Sequence, residues 1–413
     1  MRFIPFFKPE MARAQKISGG QCVIDTARGS PASRLWLIDL LKLLAANVIV
    51  FHHLSAYGPI SEALAIHWPQ LISWLFNEGR MAVQVFLVTG GYLAARGVSG
   101  WFNKKMPFAV QAMAQRYGRL VLPYMVALIL AMVGSAMARL WMSDPAIPAE
   151  PSWAQVVSHA LLLQNILGDS ALSAGVWYIA IDFQLFCVMV LVASLAQTLA
   201  RRGGFSLQAG LRLTQMLVVG LMAASLFYFN RDSAWDMWAL YFLGSYGLGA
   251  AVFWAAGSRR PWLAMTLLAL VVLVALWVEY RPRIALALCV ALLLGSGQIL
   301  RSSRAFSAGW LQALVRWSSA SYALFLVHFP ICLLGNVVFD QMGWDGAEVS
   351  LLVSILTWAA SWVVALIFHR RVEQPLSAWA SGGWAMNQAA HGLVDWARSS
   401  RDWLRLSWQR LSA

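Results

Sequence analysis

Ten apolar runs, each long enough to cross a bilayer, recur along this chain of 413 residues. A membrane helix needs roughly 20 mostly apolar residues. Backbone groups in lipid must bond within their own helix or within a closed barrel. With 60% hydrophobic and 12% charged residues, the pattern predicts an all-α polytopic membrane bundle of about ten transmembrane helices. The predicted spans are 35–57, 80–97, 119–141, 174–198, 212–230, 236–256, 261–279, 284–300, 318–339 and 349–368, and residues 60–76 are predicted to be re-entrant or interfacial.

Basic residues occupy alternate connections between these spans. The formal net charge of +13 is concentrated there, which argues against a nucleic-acid partner and for an orientation in the membrane. The positive-inside rule puts the basic connections and both termini in the cytoplasm, and the acidic or mixed connections outside. We therefore expect a multi-pass membrane protein with both termini in the cytoplasm. The basic connections hold Arg96, Lys104, Lys105, Arg116, Arg119, Arg201, Arg202, Arg259, Arg260, Arg301, Arg304 and Arg316.

The two ends of the chain differ from the apolar region between them. Residues 1–33 are polar and basic, without the pattern of a cleaved signal peptide, and are predicted to form a cytoplasmic tail. Residues 34–376 form the predicted membrane domain. Residues 377–413 are rich in Trp and Arg at near-helical spacing, which predicts an amphipathic helix on the inner leaflet or, alternatively, a disordered tail. The four cysteines have no metal-ligand spacing, so neither disulfide nor metal is expected.

The first span carries Asp39, Lys42 and His53. At about 100° per residue, the eleven steps from Lys42 to His53 return within about 20° of the same face, whereas His52 points about 80° away. Asp39 lies one turn before Lys42. Ionisable residues at membrane depth usually face a bundle interior or a wet cavity, so this stripe is the first candidate site. The alternative is structural, with Asp39 and Lys42 as an interhelical ion pair and His53 as an outer cap.

Further polar residues lie in or beside other spans. Arg116 and Arg119, one turn apart, suit a phosphate or pyrophosphate, although such pairs also anchor helices to lipid headgroups. Their predicted place at a helix amino terminus would add free N–H groups. Asp182 lacks a partner in sequence, and His53 or Lys42 is a candidate for that role. The remaining candidates are Trp177, Gln184 and His328. For Gln184, a hydrogen bond that packs two helices together is an equally good explanation.

Six short motifs, taken together, resemble the acyltransferase-3 family of bacterial membrane O-acyltransferases. Their order and spacing cover about residues 34–376. The sequence departs from the family pattern in three places: Lys42 replaces the commoner Arg, Asp182 replaces Glu, and Thr89-Gly90-Gly91 replaces Ser-Gly. The motifs are Asp39, Lys42 and His53; a second helix ending in a turn at Val85 to Leu93; Arg116, Arg119 and a turn at Pro123; Val176 to Phe186; Ser321 to Pro330; and Glu373 to Pro375.

The resemblance implies a protein of the bacterial inner membrane that transfers an acyl group, usually acetyl, from cytoplasmic acyl-CoA to a sugar hydroxyl. The acceptor would be a surface polysaccharide, a lipopolysaccharide or a glycolipid. Membrane lipids would be the other partner of the protein. In this interpretation Arg116 and Arg119 hold CoA phosphates. His53, about 16 Å above Lys42 by helical rise, acts as a general base or takes the acyl group transiently.

In the same interpretation, Asp39 and Lys42 form a pair that orients the site. Asp182 fixes the imidazole tautomer of His53 or contacts the acceptor. Two other functions stay open on the sequence alone. One is a polysaccharide or glycolipid transporter or flippase, in which the charged stripe relays protons. The other is a non-catalytic sensor that binds a ligand and signals through its tail.

Overall fold

The computed structural model describes residues 36–102, 109–300 and 308–382. Within these ranges the chain is helical and has no strand. Ten helical stretches are long and apolar enough to cross a membrane, which confirms the predicted all-α bundle and its number of spans. The predicted amino-terminal tail and most of the predicted amphipathic helix lie outside the described residues. The ten stretches are Trp36–Ala56, Pro69–Phe102, Ala109–Trp141, Trp177–Arg202, Leu207–Arg231, Ala239–Ala256, Pro261–Val278, Pro282–Ile299, Ser321–Gln341 and Ala347–Ser381.

Individual helices are numbered in chain order. Several begin at a proline, whose fixed φ suits the first helical turn, and one π-helical turn, His369–Glu373, joins the last two. The helices are α1 Trp36–Ala56, α2 Pro59–His67, α3 Pro69–Glu78, α4 Val83–Phe102, α5 Ala109–Trp141, α6 Trp153–Ala160, α7 Gln164–Leu167, α8 Trp177–Arg202, α9 Leu207–Phe227, α10 Ala239–Ala256, α11 Pro261–Val278, α12 Pro282–Ile299, α13 Ala308–Ser319, α14 Ser321–Gln341, α15 Ala347–Phe368 and α16 Gln374–Gly382.

The stretch predicted to be re-entrant or interfacial forms the two short helices α2 and α3. The connection from α1 into α2 is held by Asn336 of α14, which accepts from the backbone N–H of Ile60 and donates to the carbonyl of Tyr57. Gly58 has φ +80°, and a Cβ there would collide with the Asn336 amide. A glycine is therefore required at this turn for both backbone conformation and space.

Helices α4 and α10 pack through glycine at very close range. A Cβ on Gly91 would overlap the carbonyl oxygen of Tyr246, and one on Gly249 would overlap that of Val88. The predicted turn at residues 85–93 is therefore wrong, because this segment lies inside the continuous helix α4. The glycines serve helix approach, as small residues commonly do between membrane helices.

This packing predicts a difference between two glycines of α4. Gly91→Ala should destabilise the protein, because the added methyl group meets backbone that cannot rotate away, whereas Gly97 has nothing within 4 Å of an added Cβ. Overpacking typically costs about 1–3 kcal/mol. Thermal unfolding of purified protein in detergent should show a lower midpoint for Gly91→Ala and little change for Gly97→Ala. Equal midpoints would show that α4 and α10 are not in this contact.

Asn47 fixes the orientation of helix α1 about its own axis. Its Oδ1 accepts the indole N–H groups of Trp358 and Trp362 in α15, at 2.9 and 3.0 Å. Asn47 lies about 140° around α1 from Lys42 and about 120° from His53. Because Asn47 faces α15, Lys42 and His53 are turned toward other helices of the bundle.

The connection between α5 and α8 folds back along α5. Tyr117 donates a 2.6 Å hydrogen bond to the carbonyl of Ala160. Tyr117 precedes the end of α5 at Trp141 by 24 residues, which is about 36 Å of helix. Gln184 donates to the carbonyl of Leu162 in the same segment. This connection therefore contacts α5 and α8 beside Arg116 and Asp182 rather than only at the ends of the helices.

Candidate functional site

Several of the predicted site residues lie in two groups of polar side chains inside the bundle. The first, here called the central cluster, comprises Arg116, Asp182, Lys42, Tyr178 and Tyr246. The second, here called the histidine pair, comprises His53 and His328. Helix α1 contributes one residue to each group.

The Arg116–Asp182 ion pair organises the central cluster. Nη2 of Arg116 lies 2.5 Å from Oδ2 of Asp182, and the Asp182 side chain is 8% exposed. The guanidinium stands over the ring of Phe186, 5.4 Å from its centroid, while its Nε is buried with no hydrogen-bond partner in the described chain. A charged group held at both its edge and its face is fixed in position. The partner of Asp182 is thus neither His53 nor Lys42, the two candidates from sequence.

Helix α5 begins earlier than its predicted start at residue 119. It begins at Ala109 and continues through Pro123, so no turn occurs there. Only the first four N–H groups of a helix are free. Arg116, seven residues after Ala109, therefore cannot use a helix amino terminus as predicted. Arg119 is exposed, so the two arginines differ: Arg116 is tied to Asp182, and Arg119 is open to a ligand or to lipid headgroups.

Lys42 brings a second cation to the cluster. The charges of Arg116, Asp182 and Asp39 all act on its ammonium group, although Lys42 makes no ion pair within the described ranges. Asp39 instead accepts a 2.9 Å hydrogen bond from the Ser318 hydroxyl. The predicted Asp39–Lys42 pair is thus not a direct contact. Together with Arg119 on the same turn of α5, Arg116 and Lys42 outnumber the two carboxylates, Asp182 and Asp39, so this end of the site carries a cationic excess.

The histidine pair joins α1 to α14. The two ring centroids are 4.9 Å apart and the ring planes are nearly perpendicular, at 89°. His53 is 5% exposed and His328 is fully buried. Nδ1 of His53 and Nε2 of His328 are both buried, and neither has a hydrogen-bond partner in the part of the chain that the structure describes.

The surroundings of His53 separate it from its neighbour in sequence. Nδ1 of His52 lies 3.1 Å from the Leu75 carbonyl oxygen, so His52 faces α3. His53 instead faces His328 and Gly175, where an added Cβ would lie 3.6 Å from its Cε1. Gly175 has φ +76°, a conformation that favours glycine. The helical phase read from the sequence is confirmed for these two histidines.

Aromatic rings connect the two groups. The Phe325 ring lies 6.2 Å from the ring of His328 and 5.9 Å from that of Tyr178. Tyr178 precedes Asp182 by one turn of α8 and interacts electrostatically with Arg116. A continuous chain of side chains therefore runs from the cationic cluster to the imidazoles.

Two of the predicted site residues have packing roles in this structure. The Trp177 ring lies 5.5 Å from that of Phe242, which joins α8 to α10. Gln184 holds the connection that folds back along α5. Phe325 and Tyr246 could not be predicted as site residues, because an aromatic residue inside an apolar run gives no signal that separates a site from the core.

The fold and its interior define a polytopic helical membrane protein with a cationic cluster linked to two imidazoles. The chain belongs to the acyltransferase-3 family: the profile of that family, described as an acyltransferase domain, matches residues 35–369. It is therefore a multi-pass membrane acyltransferase.

A curated relative covers part of this domain. The Regulator of hypoxia-inducible factor 1 of Caenorhabditis elegans is 26% identical over 188 residues, which are 42% of this chain and 36% of the relative. The match thus spans about a third of the relative's length. No solved structure matches the chain.

Proposed function

We propose that this protein transfers an acyl group, acetyl in the first instance, from cytoplasmic acyl-CoA to a sugar hydroxyl of a surface polysaccharide, a lipopolysaccharide or a glycolipid. Family membership supports acyl transfer. The observation that carries the rest is the continuous chain of side chains from the cationic central cluster to the histidine pair. One end suits an anionic donor, and the other suits proton transfer.

The donor end is built from Arg116 and Lys42, with Arg119 on the exposed side of the same turn of α5. A phosphate or pyrophosphate would be attracted by the cationic excess of the cluster. The Asp182 carboxylate holds the guanidinium of Arg116 in place without cancelling both positive charges. In this proposal Asp182 positions Arg116, and Arg119 meets the donor as it enters.

The acceptor end is His53. The acceptor hydroxyl gives its proton to the imidazole while its oxygen attacks the thioester carbonyl. The carbon–sulfur bond then breaks, and the departing thiolate takes the proton from the imidazolium. If His53 is acylated first, an imidazole nitrogen bonds to the acyl carbon as the carbon–sulfur bond breaks. The acceptor oxygen then displaces the imidazole from the acyl carbon, and the hydroxyl proton passes through the released imidazole to the thiolate. Asp39, held by Ser318, supports the inner end of α1.

A transporter or flippase for the same glycans is the second candidate, because a charged interior stripe also suits proton relay. The two functions give different products. Purified protein in sealed proteoliposomes would be mixed with acetyl-CoA and with glycan extracted from a strain that lacks this protein. Release of free CoA thiol that depends on the glycan, together with a mass increase of the glycan, is the expected result. Transfer of unmodified glycan across the membrane without thiol release would support the transporter instead.

The proposed orientation predicts the behaviour of topology reporters. Reporters fused after residues 105, 202, 260, 304 and 390 should behave as cytoplasmic, and reporters near 150 and 345 as external, because basic connections stay inside. The measurement is paired alkaline phosphatase and fluorescent-protein activity in cells. An external carboxyl terminus would place the donor cluster on the wrong side for a cytoplasmic thioester.

A further inference from the structure

The proposed function does not use His328, although this residue has an unusual environment. It is fully buried in the middle of α14, and Nε2 has no partner in the described chain. Buried polar atoms are nearly always hydrogen-bonded, so an exception calls for an explanation. The partner ring, His53, has an unpartnered buried nitrogen of its own.

The backbone of α14 fixes the tautomer of His328. Nδ1 lies 2.8 Å from the carbonyl oxygen of Phe325 and 3.1 Å from that of Leu324. A carbonyl can only accept, so Nδ1 must carry the proton in the neutral ring, and Nε2 is left as a lone-pair acceptor. This assignment follows from the two carbonyls and does not depend on solvent.

The spacing of the rings suits a hydrogen bond between the two unpartnered nitrogens. An N–H···N bond of about 3 Å, added to an imidazole radius of about 1.1 Å on either side, gives centroids about 5 Å apart. The observed separation is 4.9 Å. The two nitrogens are not bonded to each other in this structure, but the centroid separation leaves room for the bond when both nitrogens point along the line between the rings. His328 itself has no exposed surface for a substrate to contact, whereas His53 retains 5%.

We propose that His328 is a positioning residue for His53. In the reacting complex, Nδ1–H of His53 donates a hydrogen bond to Nε2 of His328, which leaves Nε2 of His53 as the basic atom toward the substrate. The arrangement is that of a base oriented by a third group, with a neutral imidazole in place of the usual carboxylate. A neutral orienting group avoids a buried negative charge beside the aromatic rings of Phe325, Phe329 and Tyr57.

This inference rests on the proposed function and is tested in the same thiol-release assay. His328→Phe keeps a ring of similar volume but removes the acceptor, and His328→Gln restores an acceptor oxygen near the position of Nε2. We expect His328→Phe to lower kcat by 10²-fold or more with little change in the KM for acetyl-CoA. The kcat of His328→Gln should be at least tenfold higher than that of His328→Phe, when the two variants have equal abundance and equal thermal midpoints.

The double variant separates an orienting role from a structural one. If His328 acts through His53, then His53→Ala and the combination His53→Ala/His328→Phe should have the same residual rate, because the orienting group has nothing left to orient. Additive losses, or a His328→Phe enzyme with the wild-type kcat, would overturn the inference. Absence of activity in the wild-type protein would instead count against the proposed function.

Discussion

Replacing His53 with alanine is expected to abolish acyl transfer, whereas replacing His52 leaves substantial activity. Removal of a general base typically costs 10² to 10⁴ in rate, and removal of a nucleophile costs more. His53 faces His328 in the interior, and His52 faces the Leu75 carbonyl of α3. The two variants would be compared by mass spectrometry of the surface glycan at matched membrane abundance.

The adjacent histidines make this a well-controlled comparison, because both changes remove one imidazole from the same turn of α1. His52→Ala loses one bond to α3, so a modest decrease in thermal stability is expected. Loss of acylation in the His52 variant alone would show that the two histidines have exchanged roles. A His53 variant that retains full activity would show that neither base nor acyl relay resides there.

The second large effect is expected at the Arg116–Asp182 pair. Arg116→Ala should decrease both stability and use of the donor, because it leaves the buried Asp182 carboxylate without its cation. An unsatisfied buried group costs on the order of 1–3 kcal/mol, and a lost phosphate contact of about 1.5–3 kcal/mol weakens binding by one to two orders of magnitude. Binding of acetyl-CoA to purified protein, measured by calorimetry beside thermal unfolding, reports both.

Three matched variants separate these two effects. Arg116→Leu/Asp182→Leu removes both charges and should recover stability while donor binding stays weak. Arg119→Ala should weaken donor binding with no loss of stability, since that side chain is exposed. Arg201→Ala, an exposed charge at the far end of α8, should change neither. Donor affinity that is unaltered in the Arg116 and Arg119 variants would show that these arginines are not the phosphate ligands.

Periodicity and composition were sufficient for the number of spans because a span is recognised by the length and hydropathy of its own segment. The same local reasoning placed His53 and His52 on different faces of α1, since helical phase depends only on sequence position. It failed at the start of α5 and at Gly90-Gly91. Helix α5 begins in a polar stretch that hydropathy does not mark as part of a span. Gly90 and Gly91 resemble a turn in sequence but lie inside a helix, where they allow close approach of α10.

The sequence by itself determined that this chain is a helical membrane protein, which family it belongs to, and which residue types are available for chemistry. Only the tertiary structure decided which of them meet. Arg116 and Asp182 are 66 positions apart, and His53 and His328 are 275 apart, so neither contact follows from any local pattern. Each contact depends on the orientation of whole helices about their axes and on the distance between them. Long-range packing sets both, as in the hydrogen bonds from α15 to Asn47 and the glycine contacts between α4 and α10.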